Sequence, residues 1–323
     1  MATFIVRRVL SLVLVMFVIT VVVFMIFFHT PGIDPTRQIA GRNPSAAAVK
    51  QIRHQFGLDR PLPIQYLLMM KKIFISRDLV SYSNQGQSIV PEVVQAAPAT
   101  LSLAFGAAVI WVVVSILMGL AAAVFKGTLV DPILMILALI GISMPVFWVG
   151  ELANLITQSR WHDTFLFHWV PPLGYTPFTQ DPGLWFKGLV IPWITLSIAF
   201  IGLYARVLRS SLLEVQNEDY VRTARSKGLS ERRVLMRHTL RTSMITYVSL
   251  FGLDFGALVA GATLLTEVVF GIHGVGYLTY QSIGNLDLPT IMVTVIYGAF
   301  FIVLANAIVD ITYAWLDPRI RPA

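Results

Sequence analysis

The sequence contains no cysteine, which excludes a disulfide framework, thiolate nucleophiles and zinc-thiolate sites. Charge is also scarce. Only 13% of the 323 residues are Asp, Glu, Lys or Arg, while 56% are hydrophobic; soluble domains carry about 25% charged residues. The shortage points to lipid as the solvent. No Gly-Lys pair occurs, so the phosphate-cradling G-x-x-x-x-G-K-[ST] loop is missing, as are H-E-x-x-H and G-x-S-x-G. No catalytic, cofactor or metal-binding residues are expected, and any ATP used must be bound by another chain.

What the chain has instead is long apolar runs. Six segments, about 9–28, 100–125, 132–156, 188–208, 245–270 and 291–315, approach the roughly 20 helical residues that cross a bilayer. The expected fold is therefore all-α and polytopic, with six transmembrane helices. The first segment follows Arg7 and Arg8 like a signal peptide. It is too long for an h-region of about 7–15 residues, and His29-Thr30-Pro31-Gly32 follows it. It is predicted to be an uncleaved span.

Cations set the orientation. Arg7 and Arg8 precede the first span, Lys126 follows the second, and Arg319 and Arg321 follow the sixth. A cluster follows the fourth, whereas 271–289 has no Lys or Arg. The positive-inside rule then places both termini in the cytoplasm. The net charge of +7 fits cytoplasmic loops rather than a nucleic-acid partner. The connection 29–97 is also rich in Lys and Arg, which long translocated loops tolerate. The chain thus divides into an N-terminal helix (1–28), an extracytoplasmic connection with short helices (29–97) and a five-helix core (98–323). Within 29–97, Ser45 can cap a helix over 46–56 ended by Gly57, and Pro61 and Pro63 precede an amphipathic stretch, 64–75. This region is either a cap packed on the bundle or a docking surface. The aromatic connection 157–187 suits a membrane interface. Asp181-Pro182-Gly183 there reads as turn chemistry, and His162 and His168 read as polar tips.

Four carboxylates fall in the spans: Glu151, Asp254, Glu267 and Asp310. Intramembrane charge is expensive, so such residues face the bundle interior, a water path or a partner. Glu267 and Asp310, near span ends, read as structural. Glu151 and Asp254 are candidates for the translocation path, Asp254 being deep in the fifth span. Gly252-x-x-x-Gly256 permits close helix approach, either inside the subunit or at a subunit interface.

The longest polar run is 217–241, NEDYVRTARSKGLSERRVLMRHTLR. Its local chemistry predicts two short helices and a turn. Asn217 can cap the first, Glu218 and Asp219 suit its positive end, and Arg225 and Lys227 suit its negative end. Gly228 can take the left-handed conformation that ends a helix. Ser230 can cap the second helix. Pinned between two spans, this element could hardly enter a DNA groove.

This run resembles the signature of inner-membrane permeases of binding-protein-dependent ABC importers, in the form seen in the first permease subunit of oligopeptide and dipeptide systems. Arg222-Thr223-Ala224 occupy the E-A-A positions and Gly228 the glycine. Further similar stretches follow in family order. They are Phe4-Ile5-Val6-Arg7-Arg8, Pro31-Gly32-Ile33-Asp34-Pro35, Phe56-Gly57-Leu58-Asp59-Arg60-Pro61, Pro98-Ala99-Thr100-Leu101 and Ser143-Met144-Pro145-Val146-Phe147-Trp148. Arg206-Val207-Leu208-Arg209-Ser210-Ser211-Leu212-Leu213-Glu214, Glu267-Val268-Val269-Phe270 and Asp317-Pro318-Arg319 complete them. Thr242, Thr246 and Asp254 depart from the family pattern.

The resemblance implies a type I ABC importer permease fold in the inner membrane of a prokaryote. It implies a second permease subunit, two ATPase subunits that bind ATP and Mg, and an extracytoplasmic substrate-binding protein. The loop becomes the ATPase-coupling element, with Glu218, Asp219, Tyr220, Arg222, Ala224, Arg225, Lys227 and Gly228 as its candidate residues. Tyr220, Ala224 and Gly228 are the buried contact and fold-setting positions, and Arg222, Arg225 and Lys227 the charged rim. Peptide is the expected cargo; nickel, glutathione or oligosaccharide are alternatives within the class. An ion-coupled carrier or channel using Asp254 and Glu151 is the reading from another class.

Overall fold

A computed structural model describes residues 2–29, 46, 50, 53–54, 59–84, 86–159 and 161–316, with side chains 2–8, 28–29 and 310–316 excluded. Arg7, Arg8, Arg319, Arg321, the side chain of Asp310 and most of the helix expected over 46–56 therefore lie outside the described residues.

Among the described residues, five helices are long and apolar enough to cross a membrane, and a bent pair makes a sixth segment. The first is α1 (Ala2–His29). A short helix, α2 (Leu62–Phe74), starts beside Pro61 and carries Lys71 and Lys72 in its last turn, where cations suit the negative end of the helix dipole. Tyr66 on α2 packs edge-on against Phe24 and its hydroxyl bonds Thr20 at 2.8 Å. This part of the 29–97 connection is packed on the bundle.

The third helix, α3 (Ile89–Val124), starts before the expected position near 100 and carries Pro98 in its interior. Next come α4 (Val130–Ser143) and α5 (Val146–Gln158), bent by 96° at the break. Pro145 precedes α5 in an extended conformation. Proline disfavours helical geometry in the residue before it and has no N–H to donate, so the apolar run expected as one span is broken at Met144-Pro145.

The long α6 (Pro182–Val215) starts six residues before the expected 188 (188 − 182 = 6). Asp181 is its N-cap, accepting from the N–H groups of Gly183 at 2.8 Å and Leu184 at 3.0 Å. Pro182 occupies the first turn, where no N–H is missed. The Asp-Pro-Gly triplet is thus a helix start rather than a free turn.

Helices α3 and α6 form the centre of the core, with Trp111, Leu103, Leu196, Tyr204 and Leu208 all at or below 1% exposure. A methyl on Gly119 would lie 2.9 Å from the Ala205 carbonyl oxygen. Glycine there lets the two backbones approach. Arg209 on α6 makes two 2.6 Å hydrogen bonds to Asp131 on α4.

The charged run contains α7 (Asp219–Ser226). After Gly228 the chain enters a second helical rod. It begins with the single turn Glu231–Arg233, widens into a π segment at Val234–Thr239 and continues as α8 (Leu240–Ala257). A second π segment, Leu258–Ala262, kinks the rod before α9 (Leu264–Val269). The fifth span is therefore broken at Leu258–Ala262, near its C-terminal end. Two helices complete the described residues, α10 (Val275–Gly284) and α11 (Leu288–Leu316).

Gly252 and Gly256 face α11. A methyl on Gly256 would lie 2.9 Å from the Ala305 side chain and 3.1 Å from the Ile302 backbone, and one on Gly252 would overlap Val309. Of the two roles open to this pair, the structure shows packing within the subunit.

Asp287, just before α11, pins Ser81 and Tyr82 in the segment that leads into α3. It accepts from the Ser81 hydroxyl at 2.5 Å, the Tyr82 N–H at 3.0 Å and the Thr290 hydroxyl at 2.7 Å. Burial raises the pKa of the Tyr82 phenol above its usual range, and the nearby Asp287 carboxylate adds to the shift.

Candidate functional site

The loop between α6 and α8 folds around a small core of its own. Val221 and Ala224 on α7 pack with Val234, flanked by Val215 and Leu229. Their spacing puts Val221 and Ala224 on one face of a single helical turn, and the remaining side chains of α7 are exposed. Ala224 thus faces the chain's own core. Val221, fully buried, was not singled out in the sequence; an apolar residue three positions before Ala224 in a charged run was the available signal.

The start of α7 differs from expectation. Asn217 does not cap it; its Nδ2 donates back to the Leu213 carbonyl at 3.0 Å. Glu218 is the residue at the cap position, and its carbonyl accepts from Val221 at 3.0 Å and Arg222 at 3.2 Å. A preceding turn, in which Glu218 N–H donates to the Val215 carbonyl at 3.1 Å, carries the chain straight from α6 and leaves Asn217 closer to the end of that helix. Ser230 also makes no side-chain cap bond.

Gly228 has φ +77 and open space around its Cα, so its requirement is conformational rather than steric. Its N–H donates to the Arg225 carbonyl at 2.9 Å, and the Leu229 N–H to the Ala224 carbonyl at 3.4 Å. These bonds close the helix end.

The cations play different parts. Arg225 is committed within the loop. Its Nε lies 3.0 Å from Glu231 Oε1 and its guanidinium donates to the Gln216 carbonyl at 3.3 Å. It bolts α7 to the end of α6 and to the start of the next rod. Arg222 makes only a long 3.8 Å contact with Asp219, both side chains being well exposed. Lys227, Glu218 and Asp219 are also exposed. Tyr220 is 43% exposed, and its hydroxyl donates to Thr242 at 3.0 Å. Thr242, one of the departures from the family pattern, thereby ties α7 to α8. An open cleft beside the loop is lined by Val124, Gln216, Arg225, Glu231, Leu235 and Thr239.

The path candidates fall on different elements. Glu151 is exposed on α5, while Asn154, one turn on, is buried and donates to the Val269 carbonyl at 2.8 Å. Asp254 lies on α8 and accepts from the Tyr204 hydroxyl at 2.6 Å. No hydrogen bond or ion pair among the described residues joins Glu151 to Asp254. Glu267 is wholly buried and accepts from the Thr100 hydroxyl at 2.8 Å and the Tyr277 N–H at 2.8 Å. It serves the structure, satisfying the first turn of α10. His162 and His168 each place Nδ1 about 3 Å from a backbone carbonyl oxygen.

The geometry describes a polytopic α-helical membrane protein that presents one charged helical knob between two spans. The comparisons place it more closely. Residues 115–322 match the family described as "Binding-protein-dependent transport system inner membrane component", and residues 1–104 match its N-terminal counterpart. The chain belongs to this family of inner-membrane transport components. A Brucella abortus (strain 2308) relative, named as a peptide transport system permease protein, is 35% identical over 99% of both chains. DdpB of Escherichia coli K12, named for D,D-dipeptide transport, is 36% identical over 97% of this chain and 96% of its own. The glutathione transport system permease GsiC of Salmonella choleraesuis is 32% identical over 99% of each. A solved chain of the MetNI methionine ABC transporter, in an inward-facing conformation, covers 72% of this chain and 100% of its own length. Its TM-score is 0.54 at 14% identity, a likeness of fold.

Proposed function

We propose that this chain is the transmembrane permease subunit of an ATP-driven importer that moves short peptides across the cytoplasmic membrane by alternating access. The observation that carries the reading is the loop: a helix with its own small core, closed by Gly228 and bolted by Arg225 to both neighbouring rods. Such an element moves as a rigid body, so displacement of α7 displaces α6 and the rod from Glu231 onward together. The permease names of the full-length relatives support peptide as the cargo class. The glutathione permease relative supports a modified peptide as the second candidate.

In this reading two ATPase subunits bind and hydrolyse ATP, and an extracytoplasmic binding protein delivers cargo to a pair of permeases. The exposed groups Glu218, Asp219, Tyr220, Arg222 and Lys227 meet the ATPase, while Val221 and Ala224 hold the knob in shape. The cation distribution supports a cytoplasmic position for the loop and both termini. Asp254, with Glu151 as a more exposed second candidate, belongs to the translocation path.

The test is reconstitution of the full importer in proteoliposomes with labelled dipeptides and oligopeptides. Uptake is expected to need ATP inside and loaded binding protein outside. Arg222→Glu combined with Lys227→Glu is expected to uncouple ATP hydrolysis from loaded binding protein while the chain still inserts. Uptake by this chain alone, driven by an ion gradient, would sink the reading.

A further inference from the structure

Asp254 is an intramembrane carboxylate held by one fixed donor, whereas Glu151 is exposed on α5. The rod from Glu231 to Ala262 is apolar and long enough to span a bilayer. Asp254 lies in it one turn before the Leu258–Ala262 kink. One carboxylate oxygen accepts from Tyr204 at 2.6 Å. Tyr204 itself is fully buried, with ring centroids 5.0 Å from Trp111 and 4.9 Å from Tyr247. The Tyr247 hydroxyl is held in turn by Ser115 at 2.7 Å. Tyr204 is therefore a fixed donor that aims the carboxylate and cannot follow it elsewhere.

Among the described residues no ion pair joins Asp254 to a Lys, Arg or His. From Thr242 to Ala257 the helix has no Lys, Arg or His. Neither α3 nor α11 carries Lys or Arg; on α6, Arg209 is taken by Asp131, and Lys187 and the exposed Arg206 make no ion pair with Asp254 among the described residues. Asp254 is half-buried, with exposed Leu253 and Ala257 on the same stretch. A carboxylate facing hydrocarbon is costly, so this face meets water or a charged group rather than lipid tails. The stretch around Asp254 is rich in aromatic residues: Phe251 stacks on Phe255 with centroids 5.7 Å apart, and Trp111 lies 5.0 Å from Phe251 and from Tyr204. A carboxylate on an aromatic-rich stretch is chemistry that can receive an ammonium group.

We propose that Asp254, oriented by Tyr204, is a way-station in the path for the cationic amino group of the cargo. This rests on the permease reading above and adds the chemical class recognised inside the membrane. Tyr204 is a positioning residue; Asp254 makes the contact.

The experiment uses the complete importer in proteoliposomes, with binding protein saturated by alanyl-alanine or by N-acetyl-alanyl-alanine, and reads uptake per loaded binding protein. The wild type is expected to favour the free amine. Asp254→Asn keeps the shape and the Tyr204 hydrogen bond but loses the charge. It is expected to cut alanyl-alanine uptake by about tenfold or more and to erase the preference. Asp254→Glu is expected to retain the preference, and Tyr204→Phe to weaken it. A preference unchanged in Asp254→Asn overturns the proposal, as does a wild type that moves both loaded cargos equally. Loss of co-purification of the two permeases in Asp254→Asn also overturns it, in favour of an ion pair between them. If the wild type shows no ATP-driven uptake of either compound, the simple-dipeptide cargo of the permease reading fails rather than this inference.

Discussion

Thr100 donates its hydroxyl proton to Glu267 Oε1 at 2.8 Å, tying α3 to α9 across 167 residues of chain. The same two side chains complete the start of α10. Thr100 Oγ1 accepts from the Val275 N–H at 2.8 Å, and Glu267 Oε2 from the Tyr277 N–H at 2.8 Å. Helix starts leave N–H groups without intrahelical partners. Here two buried side chains from other elements satisfy them. Thr100→Val leaves the Val275 N–H unpaired and removes one donor from Glu267. Unsatisfied buried groups cost about 1–3 kcal/mol each, so a clear drop in thermal stability in detergent is expected. Thr100→Ser should restore most of it. Gly274→Ala should be as damaging, because its methyl would lie 2.5 Å from both Thr100 Oγ1 and Glu267 Oε2.

Asp287 predicts a local effect instead. Its carboxylate gathers Ser81, Tyr82 and Thr290, and a Val80–Ser88 bridge closes the segment that leads into α3. Asp287→Ala removes the anchor without opening the α3–α6 core. Amide exchange across 79–88 should accelerate by about tenfold or more, following the loss of buried hydrogen bonds worth about 1–3 kcal/mol each. Exchange in α7 should stay as it was. Hydrogen-exchange mass spectrometry of the two regions checks the contrast.

The Arg209–Asp131 pair is a two-bond fork, and its geometry matters as much as its charge. Lysine keeps the charge but cannot present two parallel N–H groups. Arg209→Lys should therefore recover less than about half of the stability lost in Arg209→Met. A double-mutant cycle with Asp131→Asn should show that the two losses are not additive. Additive losses would mean that the fork contributes no coupling between α4 and α6.

The spans were legible because each is a long apolar run, and run length survives any packing arrangement. Their ends were less so. At Ile89 the helix begins in a mixed-polarity turn and passes through Pro98, which reads as a boundary. At Asp181 the cap, proline and glycine read equally well as a turn or as a helix start. The bend at Met144-Pro145 was hidden because hydropathy sums the apolar residues on both sides of it. In the loop, the αL requirement at Gly228 was visible locally, but the inward face of Ala224 depends on Val234, ten residues on. Tertiary partners were not legible at all. Nothing near Thr100 announces Glu267, and nothing near Asp254 announces Tyr204. Gly252 and Gly256 announced a close approach but not whether the partner was α11 or another subunit.

Gly228 offers the sharpest separation of fold from coupling. Its φ of +77 is left-handed, and no atom lies within 4 Å of where a side chain would begin. A substitution there meets only the backbone penalty, about 1–2 kcal/mol for most L-residues. Asparagine tolerates that conformation and a β-branched residue does not. Gly228→Asn should therefore leave the α7 turn nearly intact, and Gly228→Val should open it. In the assembled importer, Val should reduce the stimulation of ATP hydrolysis by loaded binding protein several-fold, while Asn should come close to the wild type. Equal stimulation in all three proteins would mean that the closed turn after α7 is not needed for coupling. Equal loss in Asn and Val would place a bulk-sensitive contact at Gly228, because the two residues differ in conformational tolerance but both add a side chain.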